Sequence, residues 1–206
     1  MPDKQPIDTS PDMQPAGMSP RRQVPAADPC ALVVFGASGD MAKRLLIPAL
    51  YNLSRTKVLP DKFAVIGVDL AEGTAESWRD HLYATLKTFV GNAGAEFDID
   101  RIDEAVWKQF TEKMSYVQGD LTKPELYEKI RGALGDAEKT HGTEGNAIFY
   151  LAVADRVFGI AVEQLGKAKL TDQGEDKNGK APFWRRVVIE TPFGHRLDSA
   201  RQLNRS

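Results

Sequence analysis

The sequence predicts an α/β fold: a doubly wound parallel sheet with helices on both faces, incomplete at its C-terminal end and preceded by a disordered tail. Three observations carry this prediction. Short apolar runs rich in β-branched residues alternate with stretches whose apolar residues recur at helical spacing. The first run, Ala31–Phe35, passes directly into a glycine turn and a helical pattern, Gly36-Ala37-Ser38-Gly39-Asp40-Met41. Before it, residues 1–29 hold seven of the twelve prolines, a density that propagates neither helix nor sheet. The tail is therefore 1–29 and the ordered unit 30–206.

Five segments read as strands: Ala31–Phe35, Phe63–Val68, Met114–Gln118, Asn146–Ala152 and Arg186–Glu190. The first helical pattern, Asp40–Arg55, places Met41, Leu45, Ala49 and Leu53 at helical spacing, with Pro48 expected to bend or break it. The second, Thr74–Val90, puts Trp78, Leu82, Leu86 and Phe89 on one face. A third begins after Lys123 with Pro124 at the first helical position, and a fourth spans Asp155–Ala168. Residues 91–113 read as an ordered insert with a short helix, and the polar stretch Asp172–Lys180 as a solvated loop.

With 206 residues and a formal net charge of −2, the chain offers no electrostatic case for nucleic acid. Cys30 is the single cysteine, which excludes a disulfide framework and a thiolate metal site. No apolar stretch reaches membrane-spanning length and the start lacks a signal-peptide core, so a cytoplasmic protein without membrane partners is expected.

Chemistry concentrates where strands end. A strand, a glycine turn and a helix start together present unpaired backbone N–H groups and partial positive charge, a cradle for a diphosphate. Gly36 lets the chain leave the strand sharply, and Gly39 removes a Cβ from the ligand's path. At the end of the second strand, Asp69 is placed either to accept from an adenosine ribose or to act as an ordinary loop aspartate; no arginine follows to read a 2′-phosphate. After the third strand, Tyr116–Thr122 runs into an aspartate turn; Asp120 reads either as a plain turn residue, the favoured reading, or as part of a segment near the adenine, as in extended short-chain-type reductases. Tyr150 and Ala152 end the fourth strand, and Glu190-Thr191-Pro192-Phe193-Gly194-His195 ends the fifth.

Taken together, Gly36-Ala37-Ser38-Gly39-Asp40-Met41-Ala42-Lys43-Arg44, Tyr150-Leu151-Ala152 and Glu190-Thr191-Pro192-Phe193-Gly194 resemble the coenzyme domain of glucose-6-phosphate 1-dehydrogenase, with Asn204 also fitting. The resemblance runs from about Ala31 onward and implies a Rossmann-like fold. It implies hydride transfer from glucose 6-phosphate to NADP⁺, sometimes NAD⁺. Gly36, Ala37, Ser38, Gly39, Asp40 and Met41 would then line the diphosphate turn. Asp69, Tyr150 and Ala152 would lie along the cofactor, and Glu190, Thr191 and Pro192 between cofactor and sugar. Three departures stand out. Thr191 replaces the lysine of the family's Glu-Lys-Pro-Phe-Gly, and Leu45 replaces a further lysine near the site. The family's His-Tyr-Leu-Gly-Lys-Glu segment, which bears its general base, is not in these residues; nor is its large substrate and self-association domain. No catalytic residue is therefore assigned and no metal is expected. The other functional reading is an extended short-chain-type reductase or a dinucleotide sensor, although no later helix carries that class's Tyr-x-x-x-Lys pair.

Overall fold

The structure, a computed structural model, describes residues 27–92, 99–174 and 181–190. Strands β1 (Cys30–Phe35), β2 (Phe63–Asp69), β3 (Met114–Gln118), β4 (Ala147–Leu151) and β5 (Arg185–Ile189) form one sheet. Their order is β3-β2-β1-β4-β5, and every neighbouring pair is parallel. The chain grows outward from β1 to β3, then crosses to β4 on the other side. β1 thus sits at the point where the direction of winding reverses.

Helices α1 (Ile47–Arg55), α2 (Ala75–Lys87), α3 (Glu104–Thr111), α4 (Pro124–His141) and α5 (Phe158–Lys167) cover the sheet. Successive side chains of a strand point to opposite faces, and all six residues of β1 are buried. Ala31, Val33 and Phe35 join Leu126, Ile130, Leu134, Phe158 and Leu165 of α4 and α5. Cys30, Leu32 and Val34 join Ile47, Tyr51, Trp78, Leu82, Trp107 and Phe110 of α1, α2 and α3. The uninterrupted apolar run that marked β1 in the sequence is the signature of a strand covered on both sides. β5 differs: Val187 and Ile189 pack inward, whereas Val188 on the opposite face is 38% exposed.

Local chemistry sets the helix ends. Thr74 and Ser77 form a reciprocal capping box at the start of α2, each side chain accepting from the other's backbone N–H. The Asp103 carboxylate accepts from Ala105 and Val106 N–H at the start of α3, which supplies the short helix expected in the insert. Pro124 opens α4, and Gly142 closes it in the left-handed region.

The stretch expected as one helix broken at Pro48 is two windings. Ala42–Leu46 is a π-helical turn, in which the Ile47 N–H reaches back to the Ala42 carbonyl, and α1 follows with Pro48 in its first turn. Proline lacks an N–H, and its ring collides with the carbonyl four residues earlier in a regular helix. The wider winding upstream relieves that collision. Strand bounds also shift: β1 and β2 each gain one residue, Cys30 and Asp69, and the fourth and fifth strands move further. Asn146 and Ala152, expected within the fourth strand, flank β4 instead; Asn146 is buried and uses its side-chain amide to bind Pro29 O and Trp184 N at 2.8 and 2.9 Å. β5 begins one residue early and ends at Ile189, leaving Glu190 just beyond it. Among the described residues, no helix is long and apolar enough to cross a membrane.

Candidate functional site

Five parallel strands deliver their carboxyl ends to one edge of the sheet. There β1 leads into Gly36, β2 ends at Asp69, β3 leads into Gly119 and Asp120, β4 into Ala152, and β5 into Glu190. The sequence thus brings its predicted site residues together, apart from those outside the described segments. Thr191 and Pro192, with Phe193, Gly194, His195 and Asn204, fall in that outside group.

The glycine turn is the most tightly held part of this edge. Gly36 has φ +78°, and a Cβ placed on it would come within 2.4 Å of the Ala152 carbonyl oxygen. Only glycine both adopts that backbone and fits that contact. The N–H groups of Gly36 and Ala37 donate to Val68 O at 2.9 and 3.2 Å, Gly39 N–H to Gly36 O at 2.9 Å, and Lys43 N–H to Gly39 O at 3.0 Å. Ala152 N–H donates to Phe35 O at 3.0 Å, closing β4 against β1 beneath the turn. Asp40 is exposed and pairs with Lys43 across 3.7 Å, while Met41 is half-buried at the entry to the π turn.

Two side chains that sequence reasoning left out brace the turn. Trp78, read only as part of an apolar helix face, donates its indole N–H to Ala37 O at 3.0 Å. Its ring lies over Gly67 of β2, where a Cβ would approach it to 2.7 Å. A tryptophan on the helix that follows a strand interrupted by glycine was the available signal. Tyr116, from β3, donates to Ala71 O at 2.8 Å, and its hydroxyl lies 3.5 Å from Ser38 Oγ. Burial raises the Tyr116 pKa above that of an ordinary phenol, keeping the hydroxyl protonated and able to donate.

Asp69 does something the sequence did not disclose. One carboxylate oxygen accepts from Ser38 N–H at 2.8 Å and the other from Ala71 N–H at 3.1 Å. The first of these bonds crosses from β2 to the glycine turn, so the Ser38 N–H expected to face a diphosphate is held by a carboxylate instead. Asp120 behaves as the turn residue it was read to be: its carboxylate accepts from the Thr122 N–H and hydroxyl, both at 2.8 Å. Those bonds, the backbone one foremost, hold its pKa below the usual carboxylate range. It also faces a cavity of about 130 Å³ lined by Phe35, Gly36, Val68, Asp69, Leu70, Gly119, Asp120, Leu121 and Val153.

At the other end of the edge, the Tyr150 hydroxyl donates to a carboxylate oxygen of Glu190. Both residues are half-buried. The β4–β5 register, which sets Tyr150 beside Val188, brings the two together. Among the described residues, no group of three or more His, Cys, Asp or Glu side chains is arranged to hold a metal ion.

Residues 33–206 match the family model described as glucose-6-phosphate dehydrogenase, NAD binding domain. The chain is similar to the glucose-6-phosphate 1-dehydrogenase of Chlamydia pneumoniae, 37% identical over 175 residues, covering 85% of this chain and 32% of that relative. With the Bacillus subtilis enzyme of the same name the identity is 34% over 174 residues, covering 84% and 31%. Among solved structures, glucose-6-phosphate 1-dehydrogenase from Mycobacterium avium superposes with a TM-score of 0.66 at 30% identity, over 85% of this chain and 32% of that one. A glucose-6-phosphate dehydrogenase in complex with its substrate glucose 6-phosphate gives 0.70 at 26% identity, over 89% and 34%. The chain therefore spans about a third of the length of the relatives it matches.

Proposed function

Because the chain belongs to the glucose-6-phosphate dehydrogenase NAD-binding-domain family, we propose that residues 30–206 bind a nicotinamide dinucleotide at the strand-edge crevice. They would form the coenzyme half of a hydride transfer from glucose 6-phosphate, giving 6-phosphogluconolactone. The observation that carries this reading is the seat of Gly36: a positive-φ turn, pressed so closely on Ala152 that no side chain fits, at the point where the strand order reverses. Such a turn leaves room for a diphosphate above the start of the helix. When bound, the coenzyme supplies the hydride acceptor.

The chain's own residues then have distinct tasks. Gly36 to Met41 would cradle the diphosphate, with the Ser38 hydroxyl as a further donor. Asp69 would bind the adenosine ribose while keeping the turn closed through Ser38 N–H. Ala152 keeps the floor of the crevice low. Tyr150 orients Glu190 through its hydroxyl, and with it the start of the Thr191-Pro192 segment, which the family resemblance sets between coenzyme and sugar. The family resemblance favours NADP⁺ with NAD⁺ as the other candidate, a cytoplasmic setting without nucleic-acid partners, and self-association through parts of the relatives that these 206 residues do not span.

Titration of the purified protein with NAD⁺ and NADP⁺, followed by calorimetry, tests the reading. Saturable binding of at least one dinucleotide is expected, together with no glucose-6-phosphate-dependent formation of reduced coenzyme by the 206-residue chain. The second expectation follows from Thr191: a hydroxyl cannot supply the charge-assisted bond of the ammonium found there in the family. Failure to bind either dinucleotide would overturn the proposal.

A further inference from the structure

We propose that a second ligand site lies at the edge of the sheet opposite the crevice: a cavity that binds a small phosphate ester, of the size of a nucleotide or a sugar bisphosphate. The proposal stands independently of the dinucleotide reading.

This cavity, of about 510 Å³, opens where α1 ends, β2 begins and α3 ends. Its size is that of a small-molecule pocket. β2 runs from Phe63 in its lining to Asp69 at the crevice, so the length of a strand, about 20 Å, separates the two places. Among the described residues, Arg55, Lys57 and Lys113 line the cavity against one acidic residue, Asp61.

No described carboxylate forms a salt bridge with any of the three cations. Asp61 instead offers Lys113 its backbone carbonyl, which accepts from Nζ at 2.6 Å and leaves two of the ammonium's three donors open. Arg55 lies over the Tyr51 ring, 5.9 Å from its centre, a contact that uses no N–H donor.

Nor are these side chains spent on closing α1. Asn52 O accepts from the Thr56 N–H and hydroxyl, both at 3.0 Å, Leu53 O from Val58 N–H at 2.9 Å, and Ser54 O from Lys57 N–H at 3.1 Å. Lys57 itself holds φ +56°, at a helix end where glycine is the favoured residue. The chain thus keeps a cation where the backbone prefers no side chain at all. Three cations with open donors, beside the apolar surface of Leu59, Pro60 and Val106, suit a phosphate group joined to an organic body.

Amide NMR shifts of the purified chain, titrated with ATP and separately with fructose 1,6-bisphosphate, place each probe. Shifts at residues 54–61 and 106–113 report this cavity, and shifts at 36–41 report the crevice. Saturable shifts at the cavity are expected with at least one ester, the tighter of the two naming the source. Adenosine and fructose, without phosphate, should leave those amides unmoved. Lys57→Gly removes a cation and suits the backbone, so it should weaken binding by about tenfold without lowering the urea midpoint. Arg55→Gln should weaken it to a similar degree. No shift at the cavity with either ester to millimolar concentration, or midpoints that both substitutions leave unchanged, would overturn the proposal. NADP⁺ added to the same sample reports the crevice by its own amides, so this proposal and the dinucleotide reading fail separately.

Discussion

At the β1–β2 corner of the crevice the glycine turn is tied from three directions: to Val68 O by two backbone N–H groups, to Asp69 through Ser38, and to Trp78 through Ala37 O. At the β4–β5 corner Glu190 accepts a side-chain hydrogen bond from Tyr150, and the strand beside it exposes Val188 on the face turned away from α4 and α5. β1 and β2 are buried between two helical layers, and β4 too packs on both faces, with Tyr150 and Ile148 against the layer of α1, α2 and α3; at the outer strand β5 that second face is open at Val188. The difference teaches that the corner proposed for diphosphate and adenosine is organised by its own contacts. The corner proposed for nicotinamide and sugar rests on fewer among the described residues. Under that proposal, the less constrained corner is the one expected to adjust when a second substrate enters.

The largest test of this contrast is Gly36→Ala. A residue with a Cβ must hold φ near +78° and displace the Ala152 carbonyl from 2.4 Å, which should cost about 2–4 kcal/mol of stability. A shift of the urea midpoint at constant slope measures it; an unaltered midpoint would mean that the corner yields easily. Next is Trp78→Phe, which deletes the indole N–H and leaves Ala37 O, in a buried residue, without that partner. A loss of about 1–3 kcal/mol is expected from the same denaturation experiment. The smallest is Tyr150→Phe. Water reaches both partners of its bond to Glu190, so the stability change should be about 1 kcal/mol or less. Hydrogen exchange should nevertheless quicken at β5 rather than at β1. If Tyr150→Phe proved as costly as Gly36→Ala, the two corners would be equally rigid and the comparison would fail.

The fold was legible because its central strands are long apolar runs that tolerate little ambiguity, and because the glycine turn at Gly36 and the helix starts at Thr74 and Pro124 punctuate them. The site was legible in outline, since parallel strands must put their ends at one edge. Its wiring was not. Asp69 reaches Ser38 across 31 residues, and Trp78 reaches Ala37 across 41. No local pattern encodes such pairings, which depend on how far each strand slides against its neighbour. The same holds for Tyr150 and Glu190, which meet through the β4–β5 register. At Pro48 the sequence correctly marked a disturbance, but the backbone absorbed it one turn earlier, as a π turn at Ala42–Leu46. A proline shows where regular winding fails, while the cheapest place to depart from it is decided by the neighbouring packing.

The central position of β1 also bears on how the chain is made. β1 leaves the ribosome first and finds β2 soon after, with Cys30–Phe35 pairing along Phe63–Val68. Its other flank waits for Ala147–Leu151, which pairs with Ala31–Phe35. At roughly 5–20 residues per second, the eighty-odd residues between the end of β2 and the end of β4 take on the order of 4–16 s to synthesise. Throughout that interval the most apolar strand of the sheet presents an open edge, the kind of surface on which nascent chains pair with one another. Slower translation across the stretch from β2 to β4 would lengthen that exposure, a vulnerability set by the order of the strands rather than by the stability of the finished fold.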